Sequence, residues 1–381
     1  MKTSQDRILT THVGSLPRSQ AVTDVVFAAE RGEPVSDAGK TICDAVAEVV
    51  ARQVDAGVDV VSDGEMSKIS YATYIKDRIT GFDGDSAREP PSDLEDYPSF
   101  LKRLADSGGT PTYRRPCCVG AIRVKDMQPV SDDIDNMRAA MTATPPVEGF
   151  MNAASPGVIA LFQPNQHYAS HEDYLMALAE AMKAEYQAIV DAGLVLQLDS
   201  PDLGLGRHMM FKGKPDAEYV AQATLHVEAL NIALEGIPRD RVRLHVCWGN
   251  YEGPHHHDAP MELVLPIALK AHIGALLFES SNPRHAHEWE VFANTDLPED
   301  LILIPGVLDS TTNFVEHPKL VAERICRYAD IVGRDRVMAG TDCGFSTFAG
   351  YGAVDENIVY AKLASMAEGA ARASDRLWGS A

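Results

Sequence analysis

Apolar residues recur along the chain in short, nearly continuous runs, each bounded by turn residues and followed by a stretch with helical spacing. Eight such runs predict strands over residues 8–13, 58–62, 158–162, 195–199, 242–247, 275–279, 301–307 and 337–341. Each later one is a near-continuous apolar segment, as parallel strands buried on both faces must be. Between them the spacing predicts amphipathic helices, among them 172–192, 216–235, 318–332 and 355–373. Eight β/α units with a parallel signature predict the α/β class and a closed (β/α)₈ TIM barrel, one domain over 1–381. Residues 81–151, rich in Pro, Gly and charge, read as an insertion between strands two and three, a lid or an oligomer contact, with a strand of its own over 119–124.

The unusual polar residues fall at the C-terminal ends of these runs, where barrel enzymes carry their chemistry. They are His12, Ser15 and Arg18 after the first strand, Asp63 and Glu65 after the second, and Asp199 after the fourth. His245 and Cys247 follow at the fifth, Glu279 at the sixth, Asp309 after the seventh, and Asp342 with Cys343 after the eighth. Alternate residues of a strand point the same way, so His245 and Cys247 can face one ion. With Cys343 and Glu279 reaching the same barrel mouth, the donors form a tetrahedral set that suits Zn²⁺ better than Mg²⁺ or Ca²⁺. The tract His255-His256-His257 reads more simply as solvated, Cys117-Cys118 as structural, and Arg114-Arg115 as surface.

Composition narrows the partners. With 34 Lys and Arg against 55 Asp and Glu the chain carries a net charge of −21, which repels polyanions and excludes nucleic acid as a ligand. No run approaches the roughly 20 apolar residues of a spanning helix, and the start lacks a signal-peptide layout. A cytoplasmic protein without a membrane partner is expected, acting on small molecules and able to form a homo-oligomer. Six scattered cysteines fit that reducing setting as buried thiols or metal ligands.

The segments THVGSLPR (11–18), VVSDGEMSK (60–68), QLDSP (197–201), HVCWGN (245–250), LLFESS (276–281), GVLD (306–309) and AGTDCGF (339–345) follow one another in an order that resembles the catalytic barrel of cobalamin-independent methionine synthase. The resemblance extends to its single-barrel relatives, including the epoxyalkane:coenzyme M transferases, and covers the chain outside the insertion. It implies that His245, Cys247, Glu279 and Cys343 bind zinc, while Ser15, Glu65 and Asp199 hold the amino-acid end of a thiol substrate. Two features depart from the pattern. The family's folate-packing tryptophan near the end of the third strand is absent where the chain reads Phe162-Gln163-Pro164, and the His after the seventh strand is replaced by Thr311. The zinc and thiol half is thus intact, and the alkyl donor is left open.

A bound thiol would react as its thiolate with an electrophilic carbon, which predicts a zinc-dependent methyl or alkyl transferase acting on a homocysteine-like thiol. Asp309, Asp63 or a water would supply the proton to the leaving group. The alternative is epoxide opening by a coenzyme M-type thiol, with Arg18 pairing the acceptor's anion. A decarboxylase has no use for the Cys and His cluster, and a non-catalytic metal-binding protein has none for the carboxylates Glu65 and Asp199.

Overall fold

A computed structural model of the chain describes residues 1–87, 90–106 and 114–379. Its strands are β1 (Leu9–Thr10), β2 (Val60–Val61), β3 (Phe82–Asp83), β4 (Cys117–Cys118), β5 (Glu148–Ala154), β6 (Val195–Asp199), β7 (Val242–Val246), β8 (Ala275–Phe278), β9 (Ile302–Leu308) and β10 (Met338–Thr341). Eight of them form one parallel sheet in the order β1-β10-β9-β8-β7-β6-β5-β2. The two ends meet at a seam where the Asp59 amide donates to the Thr10 carbonyl and Thr11 Oγ1 to the Val60 carbonyl. The fold is the expected (β/α)₈ barrel.

The chain's helices are α1 (Gln20–Glu30), α2 (Ala38–Asp55), α3 (Ser92–Glu95), α4 (Pro98–Asp106), α5 (Gln128–Ala143), α6 (Pro156–Phe162), α7 (His171–Asp191), α8 (Asp216–Ala233), α9 (Met261–Ala268), α10 (Trp289–Ala293), α11 (Pro318–Val332) and α12 (Glu356–Trp378). In α11, local chemistry and packing agree. The His317 ring caps the Lys319 amide, Pro318 opens the helix, and Gly333 follows it with a φ of 88°. Val321, Ala322, Ile325, Tyr328 and Val332 recur on one buried face between them.

Two expectations fail between β2 and β6. The third barrel strand is β5, not 158–162, which forms α6. Every residue of α6 is buried, so no polar face betrays its helical period, and a short apolar run reads equally as strand. Ser155 decides the matter by capping the Val158 amide, with Pro156 in the first turn. The segment Phe162-Gln163-Pro164 therefore lies at the end of a helix, away from a strand end.

The insertion is also shorter than 81–151, because α5 takes the place of the barrel's second helix. It buries Val130, Ile134, Met137 and Ala140 at helical spacing, ahead of β5. What remains is a two-stranded ribbon, Phe82 opposite Cys118 and Asp83 opposite Cys117, together with α3 and α4. The strand expected at 119–124 is reduced to a single bridge between Ile79 and Val124, and Val119 and Val124 are exposed. Residues 88–89 and 107–113 of the expected insertion lie outside the described part. The main hydrophobic core draws on residues from Ile8 to Ala373, and smaller clusters such as Leu9, Leu277, Ile304 and Met338 lie apart from it. Among the described residues, no helix is long and apolar enough to cross a membrane.

Candidate metal centre and its cavity

Parallel register carries the polar residues to one end of the barrel. On β7, His245 pairs with Asp199 of β6 across the sheet, and Cys247 lies immediately beyond the strand. Cys343 stands two residues past the end of β10. The three side chains are buried, and their donor atoms all lie within 4.8 Å of one another. The two sulfurs approach to 3.5 Å without a disulfide. Only glycine fits at 344, where a Cβ would stand 2.0 Å from Ser15 Oγ, so the loop bearing Cys343 presses against the loop after β1.

The imidazole is held by its other nitrogen. His245 Nδ1 hydrogen-bonds Asp199 Oδ1 at 3.0 Å, while Asp199 Oδ2 accepts from Asn152 Nδ2 at 2.9 Å. A carboxylate behind a histidine in this way fixes ring orientation and raises the basicity of the free nitrogen. Burial works against the His245 charge, but the hydrogen bond and charge of Asp199 together with the charges of Cys247 and Glu279 outweigh it, so the His245 pKa is raised. Cys247 is pushed well above the usual thiol range by its hydrogen bond with Cys343 and by burial. At Cys343 the bond from Cys247 pulls downward, and burial with the charge of Glu279 raises the thiol nonetheless. Two buried thiols beside a carboxylate thus stay protonated until a cation replaces their protons.

Glu279 stands beside this group rather than in it. Its Oε1 accepts from the Trp248 amide at 2.9 Å and its Oε2 from Asn282 Nδ2 at 2.7 Å. Asp342 braces the same loop, accepting the Ser280 and Ser281 amides at 2.8 Å each, and burial with the charge of Glu279 lifts its pKa to about 7.

A cavity of about 840 Å³ opens over the three donors. Ser15, Glu65, Asp199, His245, Cys247 and Cys343 form its polar end. Glu65 holds a left-handed backbone, φ 59°, and its buried Oε2 has no hydrogen-bond partner among the described residues. Burial raises its pKa to about 7, opposed by Lys68 and reinforced by Asp199. A buried carboxylate oxygen with no donor, facing a cavity, is a vacancy for a ligand's N–H.

Other predicted residues take different places. Arg18 is engaged on main chain, donating to the Glu65 carbonyl at 2.7 Å and to the Ser346 carbonyl at 2.7 Å, and it ties three mouth loops together. Asp63 is buried beneath the mouth and accepts the Glu65 amide at 2.9 Å. Asp309 caps its own loop through Thr311 and Thr312 and opens on a smaller adjoining cavity of about 410 Å³, which it shares with Glu279, Asp342 and Cys343. His12 lies under the site against Gln53, and burial takes its pKa down to about 3.

Sequence reasoning missed the groups that fasten the insertion. Asp93 of α3 is fully buried and accepts Tyr251 Oη and the His255 amide, both at 2.9 Å. His208 sits 3.6 Å from Asp93 and 3.2 Å from Asp258, and Asp258 bonds His255 and His285 at 2.9 Å each. Against burial, the Asp258 hydrogen bond and charge raise His255 to about 9, and hydrogen bonds to Asp258 and Glu288 raise His285 to about 10. Asp93 stands in the acidic run Ser92-Asp93-Leu94-Glu95-Asp96, which gives no local signal of its burial, and its partners lie more than 100 residues away. Of the His tract, His256 and His257 instead meet Asp96 at the surface, at 2.9 and 2.7 Å. Arg114 is exposed on Asp83, whereas Arg115 lines the large cavity.

Residues 8–371 match the family model described as "Cobalamin-independent synthase, Catalytic domain". The methionine synthase of Saccharolobus solfataricus is 25% identical over 364 residues, covering 94% of this chain and 93% of its own. The 2-hydroxypropyl-CoM lyase of Xanthobacter autotrophicus is 28% identical over 357 residues, covering 86% of this chain and 83% of its own. Among solved structures, the B12-independent methionine synthase from Shewanella sp. W3-18-1, in complex with selenomethionine, superposes with a TM-score of 0.74 at 18% identity. It covers 98% of this chain and 100% of that one, a likeness of fold.

Proposed function

From the premise that the chain belongs to the cobalamin-independent synthase catalytic-domain family, a family of methionine synthase-like transferases, we propose that it is a zinc-dependent transferase that alkylates a small amino thiol of the homocysteine kind. The observation that carries this is the joining of two features in one cavity: a buried His and two Cys within 4.8 Å, and the unpartnered carboxylate oxygen of Glu65. Two sulfurs and an imidazole nitrogen are soft to borderline donors, which fit Zn²⁺ and not Mg²⁺ or Ca²⁺. Bound there, zinc would lower the pKa of a coordinated thiol so that it reacts as its thiolate.

The residues of the chain do the rest. His245, Cys247 and Cys343 hold the ion, and Asp199 behind His245 keeps the imidazole turned toward it. Glu279, with both oxygens already engaged, supports the cluster's charge and stands ready as a fourth ligand. Glu65 receives the acceptor's ammonium and Ser15 its carboxylate end. The thiol gives up its proton, the new S–C bond forms as the donor's carbon–leaving-group bond breaks, and the leaving group takes the electron pair and a proton. Asp309 is the proton source of choice because it opens on the cavity beside Cys343, whereas Asp63 is covered by the loop it supports. The insertion serves as a lid, since α3 and α4 border the cavity. Free cysteines throughout suit the cytoplasm.

Epoxide opening by a sulfonated thiol is the second reading, favoured by the likeness to the Xanthobacter lyase. The engagement of Arg18 on two carbonyls weighs against it, because that guanidinium is not turned to a substrate anion.

Metal analysis tests the proposal. Purified protein should hold about one zinc per chain, and Cys343→Ala and His245→Ala should each lose it with the circular dichroism of the barrel intact. Full zinc retention in both variants would sink the assignment.

A further inference from the structure

The large cavity has two unlike ends. Opposite the polar floor, its wall is built by Leu94, Leu101, Phe162, Met209, Phe348 and Tyr351, drawn from the insertion and from the loops after β5, β6 and β10. The helix α4 is the unusual member. Its sequence, PSFLKRLAD, alternates apolar and charged residues at helical spacing, yet none of its residues is buried. Leu101, Leu104 and Ala105 lie instead along the cavity, while Lys102 pairs outward with Asp106. An amphipathic helix gains its stability by burying its apolar face, and here that face borders a space continuous with the metal cluster. A homocysteine-sized thiol fills only a small part of about 840 Å³, a volume that suits a drug-sized ligand.

We infer that the second substrate, the one that brings the alkyl group, carries a bulky neutral apolar body, aryl or long-chain alkyl, seated under α4. This rests on the proposed thiol alkylation. An anionic body is disfavoured by the carboxylates of Glu65 and Asp199 at the floor and by the chain's net charge of −21. Arg115, the cation on this wall, lies 5.1 Å over the Phe162 ring, an arrangement that also receives aromatic groups.

Calorimetric titration of zinc-loaded protein with two probe series tests the inference. One series is S-methyl-, S-butyl- and S-benzyl-homocysteine; the other is ethanethiol, hexanethiol and benzyl mercaptan, which need the cavity but not the amino-acid clamp. Both should bind at least tenfold tighter at the large end, since each buried methylene contributes about 0.8 kcal/mol, a factor of about four. A 4-carboxybenzyl thiol should lose that gain. Leu101→Glu, on a helix with no fully buried residue, should erase the gain while leaving zinc content and the binding of the small probes unchanged. A flat response in the simple thiols, a gain that survives Leu101→Glu, or preference for the carboxylated probe would overturn the inference. Size-dependent binding of the simple thiols with no binding of the homocysteine series would leave it standing and remove the amino-thiol reading.

Discussion

Glu65 concentrates the tension between stability and function in one side chain. Burial holds it neutral up to about pH 7, above the ordinary carboxyl value of 4.5, so between those values the folded chain retains a proton that the unfolded chain releases. Stability therefore falls as pH rises through that window, and the cost is fully present above it. Glu65→Gln removes that cost, and the variant should be more stable than the parent at pH 8, by about 1 to 3 kcal/mol, with the difference vanishing near pH 4. Urea midpoints at the two pH values measure it; equal midpoints at pH 8 would mean that the carboxylate is not strained. The same variant should bind homocysteine about 1 to 3 kcal/mol more weakly at unchanged zinc content. In the parent, homocysteine affinity should drop as pH falls below about 7, because the neutral acid no longer attracts an ammonium. Glu65 was legible from its place after an apolar run. The absence of a partner for its Oε2 was not, since that depends on what other loops fail to bring.

At the scale of elements, local signals succeeded where one face of a helix meets water and failed where none does. The bounds of α11 follow from a cap, a proline, a glycine and a one-sided apolar pattern, whereas α6, buried on every side, was indistinguishable from a strand. That single confusion moved β5 into the supposed insertion and hid α5 as a barrel helix. The insertion's attachment is likewise nonlocal. Asp93 anchors α3 to Tyr251, His255 and His208 on the loops after β6 and β7, with Asp258 and His285 continuing the network to the loop after β8. Asp93→Asn should weaken that anchor by about 1 to 3 kcal/mol and raise amide hydrogen exchange across 92–106, leaving α7 and α8 protected. Unchanged exchange in that segment would show that the insertion is held by other contacts.

For the molecule as a whole, closure of the barrel hangs on a narrow seam. β1 and β2 are two residues each, and Asp59 supplements them by accepting the Thr10 amide at 2.9 Å and both Arg7 guanidinium nitrogens at 2.7 Å. Asp59→Ala should lower global stability by about 1 to 3 kcal/mol without altering zinc stoichiometry, because the seam's hydrogen bonds lie at the opposite end of the strands from His245, Cys247 and Cys343. A loss of zinc in that variant, or no change in the unfolding midpoint, would contradict this division. Sequence alone determined the class of fold and most strand positions, and it placed His245, Cys247 and Cys343 at one end of the barrel, because burial on both faces writes itself as apolar runs and chemistry at strand ends interrupts them. Tertiary structure alone decided which polar residue does what: Asp199 stands behind His245, Arg18 binds carbonyls, and Glu65 keeps an oxygen without a partner among the described residues. The reason is physical. A side chain's type is local, but these hydrogen-bond partners come from strands and loops 46 to 328 residues distant, and only the closed barrel brings them within 3.0 Å.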